Sequence, residues 1–160
     1  MVDGVIIRPA EARDRATWAE MWEGYNRFYG VSLSDRVTAA TWARILDPTS
    51  PIRALLAADG AGNTLGFANY ILHPYTWSDQ PACLLDDLFV RPEARGGGVG
   101  RALIDHLILL AQEQGWGRLY WMTRAGNAVA RRLYDRFGAV DDFVRYTVSF
   151  DGARPTAGEA

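Results

Sequence analysis

The 160 residues amount to about one domain of chain, long enough to bury a single core and short for two. Seventeen basic residues against 19 acidic ones leave a net charge of -2, and every basic residue is arginine. That balance excludes Schiff-base lysine chemistry and a P-loop lysine, and it argues against a grip on a nucleic-acid backbone; the single Cys83 excludes an internal disulfide or multi-cysteine zinc site and fits a reducing compartment.

The opening Met1-Val2-Asp3-Gly4 has no basic stretch leading into an apolar run, so no signal peptide is expected. Apolar runs such as 107–111 fall far short of the ~20 residues that a membrane span needs. The expectation is a cytoplasmic protein with neither membrane nor nucleic acid as a partner.

In chain order, the β-branched run at 5–8, closed by Pro9, predicts a strand. Residues 10–29 carry Trp18, Met21, Trp22, Tyr25, Phe28 and Tyr29 at three- and four-residue steps, the period of an amphipathic helix, and Gly30 ends it. Core packing is the plain reading of these aromatics, with Trp22 and Tyr25 also candidates to face a substrate. A second helix is expected over 37–46, stopped by Asp47-Pro48. Two strands, 52–58 and 65–72, flank the Gly/Asn/Asp cluster at 59–63 as a hairpin. Residues 82–90 form a further strand, apolar except for Asp86-Asp87. A helix follows over 100–114, with Leu103, Leu107, Leu110 and Ala111 on one stripe and Gly115 as its stop. Residues 119–122 make a short strand, Asn127 caps a helix that ends at Gly138, and 143–150 form a closing strand. The order is a mixed α/β chain of one domain over 1–150, with 151–160 expected to be a disordered tail.

The most informative stretch is Arg95-Gly96-Gly97-Gly98-Val99-Gly100-Arg101, between a buried strand and an amphipathic helix. Glycines let the backbone approach a ligand there, and the first N–H groups of the helix have no partner within it, which favours an anion such as a pyrophosphate. The dinucleotide fingerprint fails, because the fifth step from Gly96 is Arg101 and from Gly98 is Leu103. The pattern [Gln/Arg]-x-x-Gly-x-[Gly/Ala] is met by Arg95, Gly98 and Gly100.

With this turn, the block Leu84-Leu85-Asp86-Asp87-Leu88-Phe89-Val90 and the run Asn127-x-x-Ala130-x-x-Leu133-Tyr134-x-x-Phe137-Gly138-Ala139, the chain resembles the GCN5-related N-acetyltransferase (GNAT) superfamily over 5–150. Its likeness is greatest to the branch named after a histone and polyamine acetyltransferase, with diamine acetyltransferases as near relatives. The resemblance implies a mostly antiparallel mixed sheet of six to seven strands with about four helices and splayed central strands. It implies acetyl-CoA as co-substrate and a primary amine as acceptor, small molecule or peptide, attacked directly in a ternary complex. A catalytically silent CoA-binding module is the alternative. Dimerisation through the last strands is common among relatives, which makes a homodimer an expectation.

Site roles follow from the same resemblance. The turn residues Arg95, Gly96, Gly97, Gly98, Val99, Gly100 and Arg101 would hold the pyrophosphate. Leu88, Phe89, Val90, Asn127, Ala130 and Tyr134 would line the CoA arm. Tyr134 is the candidate proton donor to the departing thiolate, since a phenol keeps its proton at neutral pH. Asp86 is the first candidate base, working through water because Asp is shorter than the Glu that relatives carry. Asp87 faces the other way by strand alternation unless a bulge re-aims it. Asp87, Trp22, Tyr25 and His73 are the candidates for the acceptor side. Cys83 in an apolar strand reads as core rather than an acyl carrier, His106 as structural, and the spacing of His and Cys offers no metal site.

Overall fold

Alternating and helical apolar patterns can bury their faces only against one another, and a single sheet with helices on both sides does so here. The computed structural model describes residues 4–148 and 150. Strand β1 (Ile6–Pro9) leads through a 3-10 turn, Ala12–Asp14, into α1 (Arg15–Tyr29). That entry is pinned by Arg8, whose guanidinium donates to both oxygens of buried Asp14 at 2.7 Å. Gly30, at φ 69°, closes α1 in the left-handed conformation that a glycine adopts without strain. Helix α2 (Asp35–Leu46) starts at Ser34, whose Oγ accepts from the Val37 N–H. Strands β2 (Ile52–Ala58), β3 (Thr64–His73) and β4 (Ala82–Val90) follow, then α3 (Val99–Gln114), β5 (Arg118–Trp121) and α4 (Ala128–Tyr134).

The sheet order is β1-β2-β3-β4-β5, antiparallel throughout except for the parallel β4–β5 pair. Pairing of β4 with β5 ends at Leu85 opposite Trp121, while β4 runs on to Val90. The two strands therefore part, and the β5-side edge of 86–90 is open. On one face Leu103, Ile104 and Leu107 of α3 pack on Leu55, Tyr70 and Cys83; on the other, Trp18, Trp22 and Trp42 of α1 and α2 pack on Leu56, Phe67 and Phe89.

A β-bulge decides which face the end of β4 serves. Asn69 pairs with Asp87 but Tyr70 pairs with Leu85, so Asp86 stands without a partner. Before the bulge, Cys83 and Leu85 point to α3; after it Leu88 and Val90 do, and Phe89 joins the aromatic face.

Two expectations are corrected. The described residues form five strands, not six or seven. Residues 143–148 and 150 form no strand: Phe143 is 75% exposed and Tyr146 90%, with no ladder partner, and a β-prone sequence pairs only where it finds a half-buried surface. The expected tail, 151–160, lies outside the described residues. Among those described, no helix is long and apolar enough to cross a membrane, and no group of three or more His, Cys, Asp or Glu side chains is placed to hold a metal.

Candidate active site

The glycine-rich turn occupies the end of β4. Gly96 (φ 82°) and Gly98 (φ 80°) both adopt the left-handed conformation, and Gly98 is the N-cap of α3. A Cβ at Gly96 would meet nothing within 4 Å, so the backbone there faces open space. With the unpartnered first N–H groups of α3 beside it, the turn is a concave anion site of the kind a pyrophosphate fills. Arg95 donates to the Val90 carbonyl at 3.1 Å and lays its guanidinium 5.8 Å from the Phe89 ring centre, while Arg101 pairs with Asp105 at 3.3 Å. A cleft of about 420 Å³ runs along the α1 side of the turn between Gly24, Phe28, Phe89, Arg91 and Arg95.

Helix α4 closes on the same turn. A methyl at Gly100 would lie 3.4 Å from Leu133, 3.6 Å from Val90 and 4.0 Å from Leu88, so turn, strand end and α4 are in contact. Asn127 caps α4: its Oδ1 accepts from the Ala130 N–H at 3.3 Å, and its Nδ2 donates to Thr123 Oγ1 at 3.1 Å. One turn on, Tyr134 sets its ring edge-on to Trp121, centres 5.6 Å apart, and burial pushes its phenol up to about 12.

On the aromatic face the bulge delivers Asp87 to a polar network. Trp18 Nε1 donates to Asn69 Oδ1 at 3.2 Å, and Asn69 Nδ2 donates to Asp87 Oδ2 at 3.0 Å. Trp18 is 0% and Asn69 2% exposed. Burial, then the charge of neighbouring Asp86, push the Asp87 carboxyl up to about 6 against the hydrogen bonds from Asn69 and Tyr25. Asp86, left by the bulge on the exposed side, is also raised by partial desolvation, with Arg145 opposing. The Tyr25 hydroxyl is held protonated by burial and by Asp87. Tyr25 stacks on Trp22 at 5.5 Å and meets Tyr29 at 4.9 Å. Aromatic rings thus run from beside the carboxylate along α1, while Tyr134 stands beside Trp121, where the β4–β5 pairing ends.

The structure brings most of the sequence candidates together and leaves one apart. His73 lies at the far end of β3, its Nε2 3.0 Å from the Tyr120 hydroxyl and four residues beyond Asn69. Cys83 is fully buried on the α3 face and its thiol is pushed up to about 12 by desolvation, so it is no thiolate nucleophile. Sequence reasoning passed over Asn69, and gave Trp18 and Tyr29 only a packing role. The available signal was a lone amide inside the apolar run Phe67-Ala68-Asn69-Tyr70-Ile71, since a buried amide needs partners.

The model of the acetyltransferase (GNAT) family matches residues 18–139. The chain belongs to the GNAT acetyltransferase family. The D-amino-acid N-acetyltransferase HPA3 of Saccharomyces cerevisiae is 33% identical over 145 residues, covering 90% of each chain. Among solved structures, a ribosomal-protein-alanine N-acetyltransferase from Brucella melitensis superposes with a TM-score of 0.76 at 26% identity, covering 91% of this chain and 99% of that one. A probable acetyltransferase superposes with a TM-score of 0.81 at 24% identity, covering 91% and 97%, which shows the shared fold. This GNAT protein is thus an acetyl-transferring enzyme, of a family that uses acetyl-CoA. The open turn at Gly96, the α3 N-terminus and the parted β4–β5 edge fit that co-substrate.

Proposed function

We propose that the protein acetylates a primary amine by direct attack on acetyl-CoA in a ternary complex, with Asp87 as base and Tyr134 as acid. The observation that carries this reading is the pairing of two oppositely tuned groups at one gap: a carboxyl titrating near 6 and a phenol protonated until about 12. At pH 7 and above Asp87 is an ionised acceptor for the amine's proton, and Tyr134 holds a proton for the departing sulfur. Acetyl-CoA supplies the acetyl group and leaves as the free thiol. The turn from Arg95 to Arg101 would hold its pyrophosphate, with Leu88, Phe89, Val90, Asn127 and Ala130 along its arm. The N–H of Val90 is the candidate donor to the acetyl oxygen: Arg91 N–H donates to Leu65 on β3, so alternation turns Val90 N–H to the edge that β5 leaves open. Cys83, inert and on the other face, supports direct transfer over an acyl-cysteine.

Asp87 is preferred to Asp86 because only Asp87 is held by Asn69 and Tyr25; Asp86 contributes negative charge beside it. Carboxylates flanked by Trp22, Tyr25 and Tyr29 suit a cationic amine, through charge and ring faces together. Similarity to the D-amino-acid N-acetyltransferase HPA3 makes free amino acids, D-forms included, the first acceptors to test beside polyamines. We further propose a cytoplasmic setting, which suits the unpaired thiol of Cys83, and a homodimer, which would cover exposed Phe143, Val144 and Tyr146.

The test is thiol release from acetyl-CoA against a panel of amino acids, polyamines and lysine peptides. Turnover with at least one amine, strongly reduced in Tyr134→Phe, is expected. Stabilisation by CoA with no turnover on any amine would instead indicate a silent CoA-binding module.

A further inference from the structure

The polar chain beneath Asp87 has a direction that fixes which of its oxygens can carry a proton. An indole N–H is a donor only, so the atom of Asn69 that faces Trp18 Nε1 at 3.2 Å must be the amide oxygen. The amide nitrogen is then turned to Asp87 Oδ2 at 3.0 Å, where it too can only donate. Oδ2 is therefore an acceptor in both protonation states of Asp87. Neither end of the amide is free to flip, because reversing it would set two donors against each other at Trp18 and leave Asp87 without one. With Trp18 at 0% and Asn69 at 2% exposure, no solvent can substitute for either partner.

We infer that Asn69, locked by the Trp18 indole, is the positioning residue of the base: it fixes the Asp87 carboxyl plane, commits Oδ2 to an acceptor role and leaves Oδ1 as the oxygen that gains and loses the proton. The inference rests on the reading of Asp87 as base and adds how that base is oriented. The groups facing Asp87 are Tyr25 from α1, Asn69 from β3 and Asp86 from β4 itself, with Arg145 facing Asp86. Of these, Tyr25 and Asn69 favour the ionised carboxylate and Asp86 disfavours it, so loss of the Asn69 donor moves the titration upward.

The test is the carboxyl titration of Asp87 followed by carbon NMR, its resonance assigned by disappearance in Asp87→Asn, alongside the pH profile of kcat/KM. In Asn69→Leu the midpoint should rise by about one unit or more, the scale of a lost hydrogen bond to a charged group. The acid limb of kcat/KM should move with it, and activity should recover towards wild type at alkaline pH. Trp18→Phe, which removes the indole N–H and frees the amide to rotate while keeping the Asn69 and Asp87 side chains, should give a smaller shift of the same sign. An unchanged midpoint in folded Asn69→Leu overturns the inference, as does an equal loss of activity at every pH. Should Asn69→Leu fail to fold, Trp18→Phe decides, and an unshifted midpoint there overturns it. The NMR titration needs no turnover. A fully active Asp87→Asn would sink the assignment of the base while leaving the Asn69–Asp87 coupling measurable.

Discussion

Each face of the sheet carries its own buried apolar cluster, and the two are used differently. Under α3, Leu55, Cys83, Leu103 and Leu107 pack in one apolar cluster, and the chemistry at that end sits in the backbone of the Gly96–Gly98 turn. Under α1 and α2, an amide and a carboxylate are threaded between Trp18, Tyr25 and Phe67, the amide held at both ends by Trp18 and Asp87, while the neighbouring Trp22 Nε1 is buried without a partner. A main-chain site asks of its support only a fixed conformation. A side-chain site asks for fixed orientation and charge, which an apolar wall cannot supply.

That contrast can be broken most severely by removing the carboxylate. Asp87→Asn should lower kcat/KM by roughly 10²–10⁴-fold, the range of a lost general base, with little change in CoA affinity by titration calorimetry. On the other face, Leu103→Ala should cost about 2–5 kcal/mol in denaturant unfolding and leave the pH profile where it was. Tyr134→Phe should slow acetyl transfer on the order of 10²-fold at saturating acetyl-CoA, since only the proton donor is lost.

The pH dependence of stability separates the faces again. Asp87 titrates near 6 in the folded chain and, unfolded, near the ordinary carboxyl value of about 4. Its contribution to stability is fully present below pH 4 and is lost as the pH rises through 6. Asp87→Asn should therefore gain about 1–3 kcal/mol at pH 8 and nothing near pH 3.5, measured by thermal melts across pH. The mildest effect is expected at the turn. Gly98→Val, forced to φ 80°, should cost about 1–2 kcal/mol and raise the KM for acetyl-CoA more than it lowers kcat.

Periodic features were readable in advance. Strands β2 and β4 and the stop signals Gly30, Asp47 and Gly115 stand where pattern and turn chemistry put them. The glycine turn was readable because positive φ restricts residue choice so strongly. The Asn69–Asp87 contact was hidden, because it joins residues 18 apart through a register that shifts at the bulge. Trp18 was visible only as one aromatic in a stripe, since periodicity reports which face is buried and not where a single N–H points. Residues 143–148 carry strong β propensity and stay unpaired, because propensity names no partner.

The unpaired residue at Asp86 works as a parity switch within one strand. Side chains alternate with period two, so the part of β4 after Asp86 is assigned to faces independently of the part before it. Were β4 regular with the same residues, Asp87 and Phe89 would enter the α3 core and Leu88 and Val90 would come under the aromatic helix, whereas deleting Asp86 would restore plain alternation and leave each on its present face. No substitution at Asp87 could achieve or repair such an exchange. The backbone's accommodation of one extra residue at this point, rather than the residue types around it, keeps the enzyme's charge on the aromatic side of the sheet.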